Sequence, residues 1–321
     1  MQIAKANTEA IEKAGDILRR GGLVAMPTET VYGLAADAMN GEAVARIFET
    51  KRRPTFNPLI VHVPDLVSAR EFAVFTSEAE KLARSFWPGP LTLVLQCHPH
   101  AGISDLVSAG LSTLAVRVPA HPVGQAVLRA AATPIAAPSA NRSGRVSPTT
   151  AAHVASDLGD SVDLILDAGP CKVGIESTVI DCSTQTESAP SLLRPGGISV
   201  DQIEAALGKR MGPRQDSFEA PRSPGQLVSH YAPRARVRLN VASPEPGEAL
   251  LAFGPQIPPH CGPMINLSET RNLREAAANL FAALRALDAE GCSSIAVLPI
   301  PGEGLGEAIN DRLLRAAAPR P

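Results

Sequence analysis

Aromatic side chains are scarce, with two tyrosines, one tryptophan and eight phenylalanines in 321 residues. Proteins that hold single-stranded nucleic acid by stacking bases need more π surface than this. Cysteines are few and unpatterned: Cys97, Cys171, Cys182, Cys261 and Cys292 are odd in number and form no C-x-x-C. That disfavours a disulfide framework or a zinc knuckle, and the expectation is a reduced, cytoplasmic protein. Charge of one sign is also missing. Thirty basic residues face 32 acidic ones, for a net charge of −2, so no global field draws the chain onto nucleic acid or membrane, although a local basic patch stays open. No apolar run reaches ~18 residues, and the first twenty residues contain no signal-peptide core. G-x-x-x-x-G-K-[ST] is absent, so ATP would not be held by a P-loop. Neither G-x-G-x-x-G after a strand nor a G-x-S-x-G elbow occurs. "HPH" at 98–100 has nothing nearby to complete a metal site.

What is abundant is proline. Twenty-nine prolines make about 9% of the chain against a usual ~5%, so much of it turns rigidly. The length predicts two domains, each long enough for a core. Thr8 reads as the N-cap of a first helix whose Ile11, Ala14, Ile17 and Leu18 share a face, with Gly21-Gly22 as the stop. "LVAMP" then reads as a strand and "GEAVARIFETKRR" as a helix with a basic end. "PLIVHV", "LTLVLQ", "TLAVRV", "PIAA", "DLILD", "TVIDC" and "SLLR" read as strands among helical patterns, giving an α/β unit over 1–208. Residues 209–235 read as a linker. Residues 236–321 read as a second, smaller Rossmann-like α/β unit. The linker is unusual in holding Leu227, Val228, His230 and Tyr231 within "SPGQLVSHYAP", because spacers normally avoid apolar side chains. These residues are expected to lie over a cleft as a lid, with docking of the second unit as the alternative.

Several strands carry one polar residue in an apolar run. His62 shares a strand face with Ile60, and Arg117 shares one with Ala115. On its own, His62 reads as a satisfied core histidine. Arg117 reads equally as a structural ion pair or as an anion site, since a buried guanidinium needs one or the other. "KRRPTFNPLI" sets three cations between a helix and a buried strand, where α/β proteins place ligand loops. They are expected to face an open cleft, so that losing one leaves the fold intact. "APSANRSGRVSP" offers Ser139, Asn141, Ser143 and Ser147 among small residues. "PTETVYGL" and "GIESTVI" add hydroxyls beside strands, and the carboxylates Glu29 and Glu176 with them. Cations and hydroxyls without a nucleophile–base pair suit the positioning of a polyanion such as a nucleotide.

These stretches, in this order, resemble the threonylcarbamoyl-AMP synthase family. The matching pieces are "PTETVYGL", "KRRPTFNPLIVHV", "WPGPLTLVL", "TLAVRVPAHP", "PIAAPSANRSGRVSPT", "GIESTVID" and "LLRPGG", covering most of residues 20–200. K-x-R at Lys51 and Arg53, with S-x-N at Ser139 and Asn141, resembles the family's core tetrad. "SPG…HYAP" followed by a small α/β unit resembles the long two-domain form. The resemblance implies a YrdC-like fold, a twisted open mixed sheet with a concave basic cleft. It implies a nucleotidyltransferase that converts L-threonine, bicarbonate or CO2, and ATP to threonylcarbamoyl-adenylate and pyrophosphate, for threonylcarbamoyladenosine formation in tRNA by downstream transferase proteins. It implies Thr30, His62, Arg117, Ala137 and Ser177 around threonine. It implies Arg53, Asn57, Thr113, Ser139, Asn141, Ser147, Arg194 and Tyr231 around the nucleotide. Lys51 and Arg53 would neutralise the phosphates, and Mg2+ would be held by ATP rather than by side chains. Family linkers carry more basic and aromatic character before "HYAP" than the "QLVS" found here, leaving Arg234 and Arg236 as cations on that side.

Two rivals predict different features. An RNA-binding module using the same basic cleft predicts steeply salt-dependent binding. A carbamoyltransferase of the hydrogenase-maturation type requires zinc-finger cysteines and an acylphosphatase-like module, and neither is visible in the sequence.

Overall fold

The computed structural model describes residues 2–184, 189–213 and 230–319. In chain order the first part runs β1 (Ile3–Lys5), α1 (Thr8–Arg19), β2 (Val24–Met26), β3 (Gly33–Asp37), α2 (Gly41–Lys51), β4 (Ile60–His62), α3 (Leu66–Phe72), β5 (Ala73–Val74), α4 (Ser77–Phe86), β6 (Leu91–Cys97), α5 (Asp105–Ser108), β7 (Thr113–Arg117), α6 (Pro122–Ala131), β8 (Ile135–Ala136), α7 (Ala151–Leu158), β9 (Leu164–Asp167), β10 (Thr178–Asp181), β11 (Ser191–Arg194) and α8 (Val200–Leu207). The second part runs β12 (Arg236–Arg238), β13 (Ala249–Ala252), β14 (Met264–Asn266), α9 (Leu273–Ala289), β15 (Ser294–Val297) and α10 (Leu305–Ala317). Of the linker, Leu227 and Val228 lie outside the described residues, as does "QLVS". His230 and Tyr231 lie within them.

Two sheets organise the described residues. The large one is mixed, in the order β1-β9-β2-β3-β8-β4-β7-β6-β10-β11, with β5 pairing β6. The small one, β12-β15-β13-β14, is parallel throughout. A parallel sheet flanked by helices is the Rossmann-like unit the sequence predicts. No helix among the described residues is long and apolar enough to cross a membrane.

Local chemistry explains the ends of the elements. Asn7, not Thr8, caps α1: its side chain accepts from the Ala10 amide at 2.8 Å, and Thr8 becomes the first helical residue. Asn outranks Thr as a cap, which the reading of Thr8 overlooked. Asn40 caps α2 by accepting from Glu42 and Ala43. At the other end of α2, Arg52 turns left-handed at φ 51°, and the Arg53 amide reaches back to the Phe48 carbonyl. That reversal leaves Arg52 exposed while Lys51 and Arg53 are buried. β3 was not foreseen, because "GLAAD" has no β-branched or aromatic residue to mark a strand.

The two units share a core. Val31, Val146 and Ile175 of the first pack in one buried cluster with Tyr231, Phe281, Leu284 and Ile309. Gly174 makes the approach possible at φ +74°, since a Cβ there would sit 2.4 Å from the Ala278 carbonyl oxygen on α9. The sequence predicted a separate core for each unit, and part of this interior belongs to both.

Candidate active site

A narrow cleft, with a cavity volume of about 40 Å³, opens where β4, β7, β8 and β11 meet the loops after β2 and before β10. Its walls include Thr28, Thr30, Arg53, His62, Arg117, Ala137, Ser139, Glu176, Ser177, Arg194, His230 and Tyr231. Parallel pairing of β4 and β7 sets His62 opposite Arg117 and Ile60 opposite Ala115, so the polar pair and the apolar pair are two residues apart on one face.

Arg117 has an internal partner that the sequence reading did not name. Its Nη2 donates to Glu29 Oε1 at 2.5 Å, its Nη1 to Thr30 Oγ1 at 2.9 Å and its Nε to the Gly89 carbonyl at 3.2 Å. The cost of burying it is therefore met by Glu29 within the chain. Its fork keeps N–H groups for a second acceptor, since a guanidinium has five. Thr28 organises the loop by donating to the Val31 carbonyl at 2.6 Å and lying 2.8 Å from the Thr30 hydroxyl. Ser177 faces the Thr92 hydroxyl at 2.7 Å and accepts from Arg194 Nη2 at 3.2 Å.

The K-x-R and S-x-N motifs are physically joined. Lys51 Nζ donates to the Ser139 and Asn141 carbonyls, each at 2.5 Å. Burial, with Arg53 beside it, holds the Lys51 ammonium well below its ordinary pKa. Arg53 donates to the Asn57 and Pro58 carbonyls at 3.1 and 2.8 Å, and burial pushes its pKa down to about 9. Lys51 is 1% exposed and Arg53 8%. Both are structural, and of the two only Arg53 lines the cleft, which corrects the expectation of exposed cations whose loss leaves the fold untouched.

The other expected nucleotide contacts divide into two groups. Ser139, Arg194 and Tyr231 line the cleft with Arg53, while Lys51, Asn57, Thr113, Asn141 and Ser147 are buried and do not line it. Asn57 is wholly buried with neither end of its amide paired among the described residues, and Asn141 Oδ1 is likewise unpaired. Thr113 starts β7 on the same face as Arg117, four residues away, some 13 Å along the strand. Ser147 donates to Glu176 Oε1 at 2.6 Å. Tyr231 stacks on Phe281, with ring centroids 5.4 Å apart, and its buried hydroxyl has no partner among the described residues. Arg234 is exposed beside Arg142 and Arg145 in a separate groove, and Arg236 is exposed on β12. Sequence reasoning singled out Glu29 inside "PTETVYGL" but not its pairing with Arg117, and it missed Arg312, which sits in an ordinary amphipathic pattern.

Two cleft histidines are kept neutral. Burial first, and Arg117 after it, push His62 down to about 3; burial and the surrounding cations do the same to His230. An unfolded histidine titrates near ~6.5, so between these values the unfolded chain binds more protons than the folded one. Stability is therefore full above pH ~6.5 and falls as the pH drops, for His62 by about 1.4 kcal/mol per pH unit. Melting curves from pH 7 to pH 5 should show this loss, and His62→Gln should flatten it. An equally steep profile in the variant would contradict the assignment.

A mixed sheet with a cation-lined cleft, packed against a second, smaller α/β unit, defines a two-domain YrdC-like enzyme. The Sua5/YciO/YrdC family, described as telomere recombination, matches residues 16–196, and the threonylcarbamoyl-AMP synthase C-terminal domain matches residues 198–318. A threonylcarbamoyl-AMP synthase of Bacillus subtilis is 41% identical over 331 residues, covering 98% of this chain and 94% of its own length. One of Pyrococcus abyssi is 41% identical over 329 residues, covering 97% and 94%. The crystal structure of P. abyssi Sua5 complexed with L-threonine superposes with a TM-score of 0.89 at 37% identity, covering 98% of this chain and 96% of that one. The chain belongs to the threonylcarbamoyl-AMP synthase family, in its two-domain form.

Proposed function

We propose that this cleft makes threonylcarbamoyl-adenylate and pyrophosphate from L-threonine, bicarbonate or CO2, and ATP. One observation carries the reading: Thr30, His62, Arg117, Ala137 and Ser177 line the same cleft as Arg53, Ser139, Arg194 and Tyr231. An amino acid and a nucleotide bound to these two sets would meet at one cleft. Arg117 takes the threonine carboxylate with the N–H groups that Glu29 and Thr30 leave over. Thr30, His62 and Ser177 surround the side-chain hydroxyl. The unpaired Tyr231 hydroxyl and Asn57 amide are donors and acceptors suited to the nucleotide side.

The reaction then needs little from the protein beyond positioning and charge. The threonine amine captures CO2 as a carbamate. A carbamate oxygen attacks the α-phosphorus in line, a P–O bond forms, and the bond to pyrophosphate breaks. Arg53 and Lys51 neutralise charge on the phosphates. Mg2+ enters with the ATP phosphates as part of the substrate; the nearby carboxylates Glu29 and Glu176 are already bound to Arg117 and Arg312. No side chain is required as general base, because the substrates carry their own proton acceptors. The product then serves tRNA modification by other proteins. Residues 1–208 act as the catalytic unit, 209–235 as the connection and 236–321 as the second unit. RNA is a poor occupant of this cleft, since a duplex cannot bring its phosphates onto buried Lys51, Arg53, Arg117 and Arg194.

Amino-acid choice tests the pocket. Valine lacks the hydroxyl and would leave buried polar groups unpaired, a penalty of ~1–3 kcal/mol. Serine lacks only a methyl group and should lose ~1 kcal/mol. Calorimetric titration should therefore rank threonine above serine and serine above valine. Equal affinity for valine and threonine would remove Thr30, His62 and Ser177 from this role.

A further inference from the structure

Two arginines of the C-terminal unit reach Ser147 of the catalytic unit, Arg285 directly at its backbone and Arg312 through Glu176. Arg285 on α9 donates from Nη2 to the Val146 carbonyl and from Nε to the Ser147 carbonyl at 3.4 Å. It is held in place by Asp157 on α7, at 3.1 Å from Nη1 and 2.5 Å from Nη2. Arg312 on α10 is wholly enclosed. Its Nε donates to Glu176 Oε2 at 2.9 Å, and Glu176 Oε1 accepts from the Ser147 hydroxyl at 2.6 Å. Its Nη1 donates to the Pro195 carbonyl at 2.7 Å, next to Arg194, and its guanidinium lies 5.3 Å from the Tyr231 ring centroid.

We propose that Arg312 and Arg285 are positioning residues through which the C-terminal unit sets Ser147 for the nucleotide. The proposal rests on the reading of Ser147 as a nucleotide contact. Docking alone does not call for these charges. Val31, Val146 and Ile175 already join the two units through a shared apolar core, and buried ion pairs add little stability over apolar side chains of the same size. Arg312 Nη2 is even left without a partner among the described residues. What the charges do supply is direction. Burial alone would push the Glu176 carboxyl up, but Arg312 and Arg194 outweigh it and keep the group ionised. An ionised carboxylate only accepts hydrogen bonds, so the Ser147 proton is committed to it. Ser147 is fully buried here, so a nucleotide that reaches it meets an acceptor. That suits an N–H or O–H of the nucleoside and not a phosphate oxygen.

The test is the affinity of ATP, AMP and inorganic pyrophosphate for the full chain, measured well below each variant's melting temperature. Arg312→Met should weaken ATP and AMP by about tenfold, the value of one well-placed hydrogen bond, and leave pyrophosphate within twofold. Arg285→Ala, whose partner Asp157 is partly exposed, should show the same pattern and keeps the test open if Arg312→Met fails to fold. The loss caused by Arg312→Met should vanish in a Ser147→Ala background, because both changes remove the same contact. Unchanged AMP affinity in both arginine variants, or equal weakening of AMP and pyrophosphate, overturns the proposal. A wild-type chain that binds neither ATP nor AMP overturns the nucleotide reading and this proposal together. A wild type that binds them while the variants match it overturns this proposal alone.

Discussion

Lys51→Ala should reduce adenylate synthesis by about a hundredfold, the scale of removing one charge-stabilising donor, and should also lower the melting temperature. The second effect separates this account from one in which the lysine merely faces solvent. Lys51 Nζ ties the Ser139 and Asn141 carbonyls together. Its loss strands two acceptors and frees the loop that carries the S-x-N motif, at ~1–3 kcal/mol for the unsatisfied groups. Arg53→Ala should behave alike, because the Asn57 and Pro58 carbonyls lose their donor. Steady-state rates beside melting curves check both. A Lys51→Ala protein of normal activity would end the phosphate assignment, and one of normal stability would end the structural one.

Arg117→Lys should cut threonine affinity by tenfold to a hundredfold while changing ATP affinity little. A lysine can keep an ionic contact to Glu29, but it lacks the planar fork that could hold Glu29, Thr30 and a substrate carboxylate at once. Arg117→Ala should instead destabilise the protein, by about 3–5 kcal/mol, since it leaves the Glu29 carboxylate buried without its partner. Glu29→Gln in the Arg117→Ala background should recover part of that stability and none of the threonine binding. Titration of threonine into the variants decides the point: undiminished binding by Arg117→Lys would move the carboxylate site elsewhere.

What the sequence disclosed depended on how local each signal was. β6, β7, β10 and β11 could be read because their β-branched and leucine-rich runs are bounded by turns, and α6 and α7 because their apolar residues recur at helical spacing. β3 could not, because alanine and glycine carry no strand signature although the pairing with β2 and β8 decides the matter. The cleft's cations were visible as charges inside apolar runs. Their partners were not: Glu29 lies 88 residues from Arg117 and Glu176 lies 136 from Arg312, and spacing in the chain says nothing about such meetings. Arg312 and Arg285 look like solvated helix faces until the second unit is docked on the first. Tyr231, suspected either as a nucleotide contact or as packing, lines the cleft and stacks on Phe281 at the same time.

The most direct test is release of pyrophosphate from ATP by the purified full chain with threonine and bicarbonate present, repeated with each component withheld in turn. The account predicts release that needs all three and collapses when threonine is left out. Release that continues undiminished without threonine would contradict it.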